Sequence, residues 1–193
     1  LVVTAAGALD HDEVVALVVK GLEHSGWDLS TVASPATRRD AAEVSLQTLP
    51  GSLVVARPLE QAVVALATPG LHATHDQRFA MSVLSATLGG GMSSRLFQEI
   101  RERRGLAYSV YSFASSYADA GLFGMAAGTS PANAGNVAHL MKQELDLMAD
   151  KGITDAELER TKGNIAGGSA LALESSDARM IRLGRSELST GEF

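Results

Sequence analysis

The sequence contains no cysteine in its 193 residues. Disulfide scaffolds, thiolate zinc sites and cysteine nucleophiles are therefore excluded. The absence is compatible with the bacterial cytoplasm, which is the compartment expected. No apolar run reaches the ~18 residues needed to span a bilayer as a helix, so no membrane partner is expected. Positive charge is also short: 16 Lys and Arg stand against 22 Asp and Glu, a net charge of −6. An acidic chain is poorly suited to a polyanion, so nucleic acid is not an expected partner. Disorder is excluded by the opposite kind of evidence, since 46% of residues are hydrophobic and only 20% charged.

Leu1–Ala6 reads as a buried strand, and a strand at the first residue suggests a chain that starts inside a longer fold. Asp10 followed by Glu13 is a capping-box-like start. Val14, Leu17, Val18 and Leu22 then predict an amphipathic helix over about 11–24. Residues 25–42 lack periodicity and contain Pro35. Strand-like runs at 43–49 and 53–57 flank a Pro50-Gly51 turn. Gln61–Ala67 is a further strand, closed by Pro69-Gly70. A helix starts near Asp76 and stops at Gly89-Gly90-Gly91. Another helix runs from Ser94 to Arg104, with Gly105 as its stop.

Tyr108–Tyr117 and Leu122–Ala127 form a hairpin. Ser130-Pro131 should cap a helix whose apolar stripe is Val137, Leu140, Met141, Leu145 and Met148, ending at Gly152. Thr154 with Glu157 starts a long helical stretch that breaks near Ser175-Ser176. About six strands in consecutive pairs, then a run of helices, predict an α+β layered fold with a largely antiparallel sheet.

Three stretches carry candidate chemistry. His72 and His75 have a spacing that suits two metal ligands on a helix, but they follow Pro69-Gly70. A polar loop with a helix cap at Thr74 or Asp76 accounts for them. Gly89, Gly90 and Gly91 permit a close backbone approach or an amide anion site, and equally a plain helix-breaking turn. Arg101 to Tyr108 joins three arginines to a tyrosine. These are natural donors for peptide carbonyls, but on the residues alone a solvated helix end suited to the helix dipole is the favoured account. No Gly-x-Ser-x-Gly elbow and no acid–base carboxylate pair is present.

The stretch Leu88-Gly-Gly-Gly-Met-Ser-Ser-Arg-Leu-Phe-Gln-Glu-Ile-Arg-Glu-Arg-Arg-Gly-Leu-Ala-Tyr-Ser-Val110 closely resembles the insulinase, pitrilysin and mitochondrial-processing-peptidase family of zinc metallopeptidases. The resemblance extends to Leu1–Glu13, Arg57–Gln61, Thr154–Lys162 and Leu183–Gly191. It implies two similar α+β domains per subunit, paired with a second subunit, homo- or heterodimeric, around a peptide chamber. Residues 1–28 would end the first domain, 29–42 would link, and 43–193 would form most of a second, substrate-positioning domain that continues further.

The family's zinc motif, His-x-x-Glu-His, occurs nowhere in the sequence, so zinc ligands are expected only in a longer parent chain. What the resemblance assigns to these residues is substrate binding. Arg101 and Tyr108 have the spacing of the family's substrate-binding pair, and Gly89–Gly91 matches its substrate-guiding loop. The parent is thereby expected to be a zinc-dependent endopeptidase acting on peptides or small unfolded proteins. The alternative is a non-catalytic, substrate-gripping partner subunit.

Overall fold

A computed structural model describes residues 1–30, 50–189 and 191. Contacts divide the chain into two units, Leu1–Arg39 with Ser169–Phe193, and Asp40–Gly168.

In the first unit, α1 (His11–His24) begins where Asp10 Oδ1 accepts the Glu13 N–H at 3.0 Å. Its apolar positions follow helical spacing, yet none of its residues is buried. Leu1–Ala6 forms no strand, contrary to the expectation. An apolar run becomes a strand only where a neighbour takes its backbone hydrogen bonds, and no described residue does so. α5 (Ser176–Ser189) lies in this unit, after the predicted break.

The second unit is built on three antiparallel strands: β1 (Ala62–Pro69), β2 (Ala107–Ser116) and β3 (Gly121–Thr129). Their order is β1-β3-β2, so β3 is central, and its last seven residues are all buried. The α+β, antiparallel expectation holds, but with three strands rather than six among the described residues. The predicted strand at 43–49 lies outside them. The one at 53–57 is absent: Leu53, Val54 and Val55 are 89%, 84% and 66% exposed and pair with nothing described. Pro50-Gly51 forms no turn either.

α2 (Arg78–Gly89) packs on β2, and α3 (Ala134–Lys151) packs on β1 and β3. The expected Ser130 cap makes no side-chain bond. Pro131 instead opens a short 3₁₀ turn, Pro131–Asn133, that leads into α3. Gly152 ends α3 at φ 71°, where a residue with a Cβ is strained. α4 (Asp155–Ala172) then starts with the predicted capping box: Glu157 Oε2 accepts the Thr154 N–H at 2.8 Å, and Thr154 Oγ1 accepts the Glu157 N–H at 3.2 Å.

The core collects Leu88 of α2, Phe123 and Met125 of β3, and Val137 and Met141 of α3. Leu96 and Ile100 join it, both fully buried and four residues apart on the helix between α2 and β2. Each such side chain contributes about 1.5–3 kcal/mol by leaving water.

α2 meets β2 most closely at Gly89. A methyl group there would stand 2.3 Å from Ser112 N and 2.8 Å from the Tyr111 carbonyl carbon, both immovable backbone. At Gly91 it would meet nothing within 4 Å. Gly89→Ala is expected to destabilise by about 1–3 kcal/mol through overpacking, while Gly91→Ala stays within about 0.5 kcal/mol. Urea unfolding of the two variants checks the contrast.

Candidate functional site

The helix that carries Arg101 is widened. After one α-helical turn start at Arg95 and Leu96, residues Phe97–Glu102 are π-helical, and the Arg103 N–H reaches Gln98 O at 3.0 Å. Such insertions are concentrated at functional sites. The Gly105 N–H bonds Arg101 O at 3.0 Å and the Leu106 N–H bonds Ile100 O at 2.9 Å, closing the helix, with Gly105 at φ 62° turning the chain into β2. The Thr129 hydroxyl donates to Leu106 O, tying this turn to the end of β3.

Tyr108 is the residue that β2 cannot pair. Ala107 faces Thr129 and Ser109 faces Gly128, leaving Tyr108 as a bulge between them. A bulge re-aims its side chain, and Tyr108 is 77% exposed. The structure brings the predicted pair together: the Arg101 guanidinium lies 4.8 Å from the centroid of Phe97 and 5.5 Å from that of Tyr108. Both residues line an open cleft of 510 Å³ with Gln61, Leu106, Gly128 and Thr129.

The arginines divide by occupation. Arg103 and Arg104 bond to Glu99 at 3.0 and 2.6 Å. These bonds, that to Arg104 foremost, hold the Glu99 carboxyl below its usual range. Arg101 donates to no described residue, and neither does the Tyr108 hydroxyl. Their polar atoms are available to a ligand.

Gly89–Gly91 lies elsewhere. Gly90 and Gly91 line a second cavity of 160 Å³ with Ser93, Ser94, Arg160 and Thr161, beside the buried Thr87–Thr161 hydroxyl bond of 3.0 Å. Within the triplet, Gly89 is filled by contact with β2, and Gly91 is open.

His72 and His75 face each other edge-on with centroids 5.1 Å apart. They sit in a turn, with the His75 N–H bonded to His72 O. The Gln77 N–H donates to His75 Nδ1, and α2 starts without a side-chain cap, so the cap expected of Thr74 or Asp76 does not form. Among the described residues no three His, Asp or Glu side chains could share a metal ion. The described residues of this chain do not fit a zinc site.

A further element escaped the sequence reading. Arg95 grips Glu157 with two bonds of 2.7 and 2.8 Å and also donates to Gly152 O at 3.0 Å. The fork ties the start of the Arg101 helix to the α3–α4 corner across 62 residues of sequence. Only the capping role of Glu157 was legible. The Arg95 bond, followed by the Thr154 bonds, holds the Glu157 carboxyl at about 2. Glu144, half-buried near these groups, is pushed up, first by burial and then by Glu99.

The sequence matches the peptidase M16 inactive domain over residues 1–165. The chain belongs to that family. The resemblance carried by residues 88–110 is thus correct. A relative named an uncharacterized zinc protease, from Streptomyces coelicolor, is 47% identical over 192 residues, covering all of this chain and 42% of the relative. One of the same description from Mycobacterium tuberculosis H37Rv is 46% identical, covering all of this chain and 43% of the relative. The M16 chain therefore spans less than half the length of these curated relatives.

Among solved structures, a peptidase M16 inactive domain from Pseudomonas fluorescens aligns with TM-score 0.65 and 27% identity over 70% of this chain and 32% of its own. A protease from Helicobacter pylori aligns with TM-score 0.76 over 95% of this chain and 44% of its own; at 24% identity it speaks for the fold alone.

The Arg95–Glu157 fork should be visible in pH dependence. A carboxyl that titrates at about 2 when folded and at 4.5 as a reference stabilises fully above about pH 5. That contribution is lost as pH falls from 4.5 through 2. Glu157→Gln is expected to cost about 2 kcal/mol at neutral pH, with the gap to the parent protein closing over this window. Denaturant unfolding from pH 7 down to pH 2 measures it.

Proposed function

We propose that this chain is the substrate-positioning part of a zinc-dependent endopeptidase of the M16 family that cleaves peptides or small unfolded proteins. The observation that carries the reading is the pairing of Arg101 with Tyr108 at the mouth of one cleft, both with unspent donors. An extended peptide must have its carbonyls met by donors when it leaves water. A guanidinium beside the scissile carbonyl also stabilises charge that develops on its oxygen. The relatives' description as zinc proteases supports a hydrolytic parent.

The zinc ligands would belong to a longer parent, because the described residues of this chain offer no such cluster. In this reading a second subunit of the same family faces the cleft, and the protein works in the cytoplasm. Gly91 and its neighbours would guide substrate toward the pair, with Gly89 committed to packing.

In the full-length protein, Arg101→Ala is expected to lower kcat/KM for peptide cleavage by about 10- to 100-fold, the worth of a charge-assisted hydrogen bond. Thermal stability should change little, since the stacking lost is exposed and worth about 0.5–1 kcal/mol. An unchanged kcat/KM would remove the role assigned to Arg101. The 193-residue chain alone, supplied with zinc, is expected to show no peptidase activity; zinc-dependent cleavage by the purified chain would contradict the assignment.

A further inference from the structure

An extended peptide presents N–H donors as well as carbonyl acceptors. Arg101 can only donate. The Tyr108 hydroxyl is a single oxygen that can accept as well as donate, and the floor beside Gly128 provides a further acceptor with a donor beside it.

Gln61 stands immediately before β1, and its carboxamide reaches across onto β3. A methyl group on Gly128 would lie 2.9 Å from Gln61 Nε2 and 3.6 Å from its Cδ. From the other side Ser109 Oγ would lie 2.9 Å from the same point. Gly128 thus leaves a saddle, and the Gln61 amide occupies it, in the cleft that holds Arg101 and Tyr108. The carboxamide bonds to no described residue. A primary amide carries a donor and an acceptor on one edge, so it can pair through two parallel hydrogen bonds with the N–H and C=O of one residue in an extended chain, which lie on the same side. Glu60, also on the cleft, is an acceptor too, but it has no seat comparable to Gly128 and cannot donate when ionised.

We propose that Gln61 binds the main chain of one residue of an extended peptide substrate, its Oε1 accepting that residue's N–H and its Nε2 donating to that residue's carbonyl, beside the Arg101–Tyr108 pair. The proposal rests on the peptide-binding reading of that pair and adds an acceptor and a donor held side by side, which the pair does not offer.

The test uses the full-length protein and a fluorescently labelled extended peptide, with a series in which single amides are replaced by esters. Anisotropy gives the affinity without requiring cleavage. One ester position should bind about three- to tenfold more weakly to the parent protein, the worth of one hydrogen bond. Gln61→Ala should weaken the all-amide peptide by a similar factor and abolish the penalty at that position. Gly128→Ala, which puts a methyl group where the carboxamide lies, should do the same, with unfolding curves checking that each variant is folded. Arg101→Ala should weaken every peptide alike and leave the penalty in place.

A penalty that persists in Gln61→Ala, or that disappears in Glu60→Ala instead, overturns the proposal. If Arg101→Ala binds like the parent while Gln61→Ala loses the penalty, the Arg101–Tyr108 reading fails and the Gln61 proposal stands. If the parent protein binds none of the peptides, both fail.

Discussion

One unpaired residue organises the cleft. β2 arrives at the ladder with Tyr108 in excess, and the register absorbs it between Ala107 and Ser109. Because Ala107 and Val110 stay buried on either side, the ladder cannot slip to accommodate the extra residue; the tyrosine must leave the plane. The preceding helix has the same character. Its interior side is fixed by Leu96 and Ile100, both fully buried, and its widened turn carries Arg101 round to meet the ring. Two local irregularities, one in a helix and one in a strand, thus produce a juxtaposition that regular elements at this spacing would not.

Charge allocation separates structural from available cations. Arg95 is taken by Glu157 and Gly152, and Arg103 and Arg104 by Glu99. Arg101 alone of these four is left stacked on aromatic faces. A stacked guanidinium keeps its direction without spending its N–H groups, because the ring faces attract it electrostatically. Such a group is oriented before a ligand arrives, which lowers the entropy lost on binding.

Much of the secondary structure was legible in the sequence because its signals are local. Asp10 with Glu13, Thr154 with Glu157, the stripe from Val137 to Met148, and Gly105 and Gly152 each declare a boundary through neighbouring residues. The failures at Leu1–Ala6 and 53–57 share a cause. Alternating or apolar residues permit a strand, but only a partner makes one, and the partner is not written in the segment. The pairing of Arg101 with Tyr108 was reached through family resemblance; on residue chemistry alone a solvated helix end was the favoured account. Invisible from sequence were the π-helical widening, the bulge at Tyr108 and the Arg95–Glu157 fork, all of which depend on residues that meet only in three dimensions.

The central strand has its own consequence. β3 carries glycine at 124 and 128, and each vacancy is covered by a neighbour: the Phe113 ring tip would lie 2.5 Å from a methyl group on Gly124, while Gln61 and Ser109 crowd the equivalent point on Gly128. The most buried strand therefore contributes backbone, and its flanking strands contribute the chemistry above it. Exchange of Gln61 or Ser109 for other residues would refurnish this patch of surface without disturbing the strand that carries the fold.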